Sequence, residues 1–155
     1  MSIRFAWILP QELAVGSFPK NAASAAKLKT IGVTAILCLN EEAELAVPAE
    51  VSSQFLWHRI AIPDGYTGGI PDPDHFAEAL EILTAWRQTG QIMYVHCMAG
   101  IGRSPSVCAA YLVHQKRLPL REAIQFVKNC HAVADPDPYQ IRVMQKFFDA
   151  QKTGN

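Results

Sequence analysis

The stretch that most restricts the fold is "IMYVHCMAGIGRSPSVCAAYL", residues 92–112. Before Cys97, residues 92–96 read as a strand with almost no polar face. Such a strand needs cover on both sides of its sheet. From about residue 102 to 115 the chain is apolar nearly all round, the pattern of a buried helix. A buried strand that runs straight into a buried helix belongs to an α/β arrangement of layers. Residues 33–39 repeat the strand signal, with a continuous apolar run that includes β-branched side chains. Between these strands, Asp72 and Pro73 open a helix to about residue 88, since aspartate at the cap and proline at the first helical position form a strong start. Phe76, Leu80, Leu83 and Trp86 give that helix one apolar stripe, and Gly90 stops it.

The remaining segments fit around this frame. Residues 5–9 and 13–15, separated by Pro10, read as a short antiparallel start. Residues 21–28 are alanine-rich and helical, ended by Gly32. Residues 41–44 read as a short acidic helix start, and 55–62 as a strand of mixed polarity. Pro119 opens a helix to about residue 128, "DPDP" precedes a last helix to about 149, and 151–155 read as a loose tail. The expected product is one α/β domain over residues 1–155, a small, mainly parallel central sheet with helices on both faces. In such a fold ligands sit beyond the carboxyl ends of the strands, where Cys97 lies.

Charge sets the scale of any anion binding. Lys plus Arg and Asp plus Glu each number 14 in 155 residues, so there is no global pull toward nucleic acid or an anionic membrane. No apolar run reaches membrane-spanning length, and the patch at 5–9 is short for the core of a signal peptide. Cys38, Cys97, Cys108 and Cys130 are scattered without CxxC pairs, which reads as free thiols in a reducing compartment, with no metal-ligand spacing. These features predict a cytoplasmic protein with no nucleic-acid or membrane partner, no metal and no cofactor; they leave the oligomeric state open.

Anion binding must therefore be local, and the loop after residue 96 is built for it. A strand-to-helix loop presents backbone N–H groups at the positive end of the helix dipole. Gly100 and Gly102 are expected at positive φ, which turns successive N–H groups to one side. The planar fork of Arg103 can hold two phosphate oxygens at once. Helix N-termini and nearby cations favour the thiolate of a cysteine, so the loop that binds a dianion should also keep the Cys97 sulfur ionised. That combination suits attack of sulfur on phosphorus.

The segment "HCMAGIGRS" resembles the HCxxGxxRS signature of cysteine-dependent protein phosphatases, in their small dual-specificity branch. "WHRIAIPDG" is similar to the strand and general-acid loop of that family, and the likeness runs from about residue 13 to 148. The resemblance implies a phosphatase acting on phosphotyrosine in proteins or peptides, with phosphoserine and phosphothreonine as further substrates. Cys97 would be the nucleophile. Arg103 and the loop of Met98, Ala99, Gly100, Ile101 and Gly102 would hold the phosphoryl oxygens. Ser104 would hydrogen-bond the sulfur, and His96 would tune it from behind. For the general acid three aspartates compete: Asp64, Asp72 and Asp74. The last two already serve a helix start, and Asp64 follows "IP" at a strand end where the family places its acid, so Asp64 is preferred. A glutamine at the position of Gln140 orients water in some relatives; the polar face of a last helix is the plainer reading. Tyr66, Ile70 and residues 134–139 are candidate pocket walls. Two alternatives stay open: a phosphoinositide or other small phosphate-ester phosphatase, against which the uncharged Met98, Ala99 and Ile101 argue, and a phosphate-binding module without turnover.

Overall fold

The computed structural model describes residues 2–153. Five strands stand among them: β1 (Phe5–Leu9), β2 (Leu13–Gly16), β3 (Ala35–Cys38), β4 (Leu56–Arg59) and β5 (Met93–His96). They form one sheet in the order β1-β2-β5-β3-β4. β5 lies between two parallel neighbours, β3 and β4 are also parallel, and β1 closes one edge as an antiparallel hairpin with β2. The expected mainly parallel α/β sheet is therefore what the chain forms.

Side-chain alternation divides the interior into two cores. Leu13, Val15, Ala35, Leu37, Met93 and Val95 face one, which is completed by helices α3 (Pro73–Gln88), α4 (Arg103–Lys116), α5 (Leu120–Cys130) and α6 (Pro138–Thr153). Ala14, Ile36 and Tyr94 face the other, against α1 (Ala22–Ile31) and α2 (Ala49–Gln54). All four residues of β5 are buried, because helices cover both sides of the centre of the sheet. Within α4, every residue from Arg103 to Leu112 is buried.

Start signals set the helix positions. Asp72 accepts from the Asp74 N–H at 2.9 Å, and the Asp72 N–H donates to His75 Nδ1 at 2.9 Å, a reciprocal cap that starts α3 where expected. Gly32, at φ 111°, ends α1 in the left-handed region.

Three segments differ from the sequence reading. Residues 42–44 form a turn rather than a helix start, since the Glu44 carboxylate folds back to accept the Glu41 N–H at 2.6 Å. Helix α2 carries no side-chain cap and buries Val51 alone, so its sequence had little to announce it. Residues 151–153 belong to α6, while 154 and 155 lie outside the described residues. Among the described residues no helix is long and apolar enough to cross a membrane.

Candidate active site

Strand register brings Gly16 of β2, His96 of β5 and Cys38 of β3 side by side at the carboxyl ends of the strands. The chain then turns through residues 97–102 into α4. Two glycines let this turn sit against β2. Gly100 has φ 75°, and a Cβ there would lie 2.8 Å from the Gly16 carbonyl carbon. A Cβ on Gly16 would in turn collide with the Arg4 carbonyl oxygen and the Tyr94 hydroxyl. Gly102 differs from expectation: its φ is −112°, so its lack of a side chain serves close packing instead, with a Cβ placed 3.0 Å from Gln140 Oε1.

Each loop carbonyl from Met98 to Gly102 has a donor, four of them from segments outside the loop and α4. Met98 O accepts from the Phe18 N–H at 3.0 Å and Ile101 O from the Asp135 N–H at 2.7 Å. Ala99 O accepts from Arg4 Nη1 at 2.9 Å, Gly100 O from His131 Nε2 at 2.8 Å, and Gly102 O from Ser106 Oγ at 2.7 Å. Among the described residues there are no cis peptides, and a trans peptide sets its N–H opposite its C=O. The following amides, from Ala99 to Arg103, must therefore face the other side, into a cavity of 470 Å³ lined by Cys97, Asp64, Arg103 and Gln140 among others. Among the described residues no protein acceptor meets the amides of Ala99, Gly100, Ile101 or Gly102. Four aligned, unspent donors with a helix N-terminus behind them make an anion seat.

Cys97 lies at the base of this cavity, only 3% exposed. Its Sγ is 3.2 Å from Ser104 Oγ, which also lies 3.4 Å from Gly16 O. His96 is buried between Phe18 and Tyr94, and its Nδ1 donates to the Cys97 carbonyl oxygen at 3.2 Å. Burial pushes its pKa down to about 4, the Arg103 and Arg59 charges act in the same direction, and the bond to Cys97 O opposes them. The ring is thus neutral at physiological pH, and it touches the backbone of Cys97 rather than donating to the sulfur.

Arg103 is buried and spoken for on one edge. Nη1 and Nη2 each donate to a different Glu44 carboxylate oxygen at 2.8 Å, and Nη1 also donates to Ile62 O at 2.9 Å. A guanidinium has five N–H donors, so Nε–H and the second Nη2–H remain, side by side on one edge. That edge can hold two phosphoryl oxygens in the geometry expected of the fork. Glu44 is the residue that sequence reasoning missed. Burial alone would raise its pKa, but the bonds from Arg103 and the Glu41 N–H, with the Arg103 charge, hold it below the ordinary carboxylate value. The available signal was its place: an acidic residue just past the end of β3, beside β5. His131 and Arg4, which brace the loop from outside, had no sequence signal.

The three aspartates separate clearly. Asp64 lines the cavity; its Oδ1 accepts from the Tyr66 N–H at 3.1 Å and its Oδ2 lies 3.6 Å from Arg103 Nη2. Asp64 thus caps the short turn that follows it, besides facing the arginine. Asp72 and Asp74 are at the exposed start of α3, outside the cavity lining. Gln140 is buried, accepts from the Asp137 N–H at 2.9 Å and lines the cavity, so it is more than a polar helix face. Tyr66, Asp135 and Ile101 complete the walls; Ile70 is not among them. Cys38 is a free, buried thiol whose Sγ lies 3.8 Å from Asn40 Oδ1.

Comparison with known proteins gives the arrangement its family. Residues 15–150 match the family described as dual specificity phosphatase, catalytic domain. The chain is 32% identical over 110 residues to Dual specificity protein phosphatase 5 of Rattus norvegicus, a match that takes in 71% of this chain and 27% of the relative. It thus spans about a quarter of the length of the curated relatives it matches. The crystal structure of human DUSP28 superposes with a TM-score of 0.76 at 26% identity, over 96% of this chain and 95% of that one. PTPMT1 in complex with PI(5)P shares the fold, with a TM-score of 0.83 at 21% identity over 97% of each chain. A family match over residues 15–150, nearly the whole chain, means that this protein belongs to the dual specificity phosphatase catalytic-domain family.

Proposed function

We propose that the protein hydrolyses phosphate monoesters on phosphorylated proteins or peptides, through a phosphocysteine on Cys97. The observation that carries this reading is the set of inward amides of residues 99–103 above the buried Cys97 sulfur, closed by the free edge of Arg103. The amides and guanidinium hold the three peripheral phosphoryl oxygens. The Cys97 thiolate attacks phosphorus, the P–O ester bond breaks, and Asp64 gives its proton to the leaving oxygen. Water then attacks phosphorus, Asp64 takes a proton from it, the P–S bond breaks and inorganic phosphate leaves. Ser104 donates to the sulfur as it regains negative charge. Gln140, fixed by Asp137 and facing the cavity, positions the water.

Cavity shape and charge bear on the substrate. The 470 Å³ cavity over Cys97, walled by Tyr66 and Ile101, has room for a phosphorylated side chain as large as phosphotyrosine. Arg103 is the one cation among the lining residues, with the Asp64 carboxylate 3.6 Å from it and Asp135 also in the lining. That balance favours a monoester dianion over a multiply charged inositol headgroup. The names of the relatives, dual specificity protein phosphatases, supply the protein substrate class. Unpaired cysteines, three of them buried, fit action in the reducing cytoplasm. The test is a panel of phosphotyrosine, phosphothreonine and phosphoinositide substrates with the wild type and Cys97→Ser. Turnover of phosphopeptides by the wild type alone supports the reading. Preference for the inositol headgroups, or phosphate binding without turnover, refutes it.

A further inference from the structure

We propose that the groove formed where α4 ends, α5 begins and α6 ends is a docking site for an acidic peptide segment of a partner protein, one that carries a leucine-sized apolar side chain. The groove encloses 630 Å³, more than the catalytic cavity. It lies at the opposite end of α4 from Arg103, and 14 helical residues separate the two by roughly 20 Å. Its floor is apolar: Val113, Leu118 and Leu120 are half-buried and Phe148 closes the bottom. Its rim is basic: His114, Arg117, Arg121 and Lys152 are exposed around it, and no aspartate or glutamate lines it.

Local charge is what selects the occupant. The chain as a whole is neutral, so this cluster is a local excess. Among the described residues Arg117, Arg121 and Lys152 take part in no ion pair. The carboxyl ends of α4 and α6 each contribute only about half a negative charge, so three full cations leave the groove clearly positive. Helix stability does not account for all of them. Arg121 stands in the first turn of α5, where the dipole disfavours a cation. Arg117 holds φ 60°, a left-handed position that glycine or asparagine fills more easily. A small anion would leave the apolar floor wet, and a flat membrane surface could not reach into a concave groove. A peptide with carboxylates for the rim and one apolar side chain for the floor satisfies both parts. The inference stands apart from the phosphatase reading, because no catalytic group takes part.

Fluorescence anisotropy of the full chain with a labelled peptide alternating Glu and Leu tests it, at low and high salt. The expected result is saturable binding at low salt that weakens several-fold or more at high salt, since exposed charge pairs are screened. Arg117→Glu with Arg121→Glu should weaken binding by about tenfold or more while aryl-phosphate turnover stays at the wild-type rate. A peptide with Ser in place of Leu should also bind more weakly. Absence of saturable binding, equal binding by the double variant, or equal binding of the Ser peptide overturns the proposal. So does tighter binding of phosphatidylserine vesicles than of the peptide.

Discussion

Removing the Glu44 carboxylate should loosen Arg103 and lower both stability and turnover. Two 2.8 Å bonds tie the guanidinium to this one side chain, and only the bond to Ile62 O and the longer approach of Asp64 would remain in Glu44→Ala. Breaking one side of a buried ion pair costs about 3–5 kcal/mol. The Arg103 side chain is 3% exposed but that of Glu44 is 18%, so water can partly replace the lost carboxylate and about 2–3 kcal/mol is a fairer figure. For a domain of this size that lowers Tm by roughly 4–12 °C. Catalysis should suffer more than stability. The free Nε–Nη2 edge is aimed by the Glu44 bonds on the opposite edge, and a displacement of about 1 Å in such a group can cost about a hundredfold in rate. The assay is steady-state hydrolysis of an aryl phosphate beside a thermal melt, for Glu44→Ala and Glu44→Gln. Because the folded-state pKa of Glu44 is depressed, its contribution is present above its unfolded value and fades as pH falls through the folded one. The stability gap between wild type and Glu44→Gln should therefore narrow in acid. Wild-type kcat and Tm in Glu44→Ala would refute the claim that this carboxylate aims the arginine.

Other substitutions separate the roles of neighbouring groups. Gly100→Ala places a Cβ 2.8 Å from the Gly16 backbone at φ 75°, so kcat should fall by about a hundredfold while the fold persists by circular dichroism. Asp64→Asn should lower kcat by about 10²–10⁴ with little change in KM, whereas Asp72→Ala should leave kcat alone and lose about 1 kcal/mol of helix capping in a denaturant melt. Between pH 6.5 and about 4 the unfolded chain protonates His96 and the folded chain does not, so stability should fall by about 3 kcal/mol as pH drops through that window. Denaturant titrations across it should show a shallower decline for His96→Asn.

The parts of the fold that were legible in the sequence are those fixed by local chemistry. Asp72-Pro73 announced α3 because capping and a preset φ act within one turn. The unbroken apolar run before Cys97 announced a central strand because nothing but burial on both faces suits it. The cysteine loop was legible as a short segment whose glycines, arginine and serine act on one another directly. What stayed hidden depends on contacts across the chain. Glu44 meets Arg103 across 59 positions, and Arg4 reaches Ala99 across 95. His131 braces Gly100 from a loop 31 residues on, and no periodicity marks it. Gly102 looked like a second positive-φ glycine, but its missing side chain makes room for Gln140, a neighbour that only the folded chain supplies.

The most direct trial of the central claim is a rapid acid quench during turnover of a phosphopeptide, followed by mass spectrometry of the digested protein. A phosphoryl group should appear on the peptide that contains Cys97, formed in a burst before steady state and absent from Cys97→Ser. Steady turnover with no adduct on Cys97, or turnover retained by Cys97→Ser, would contradict it.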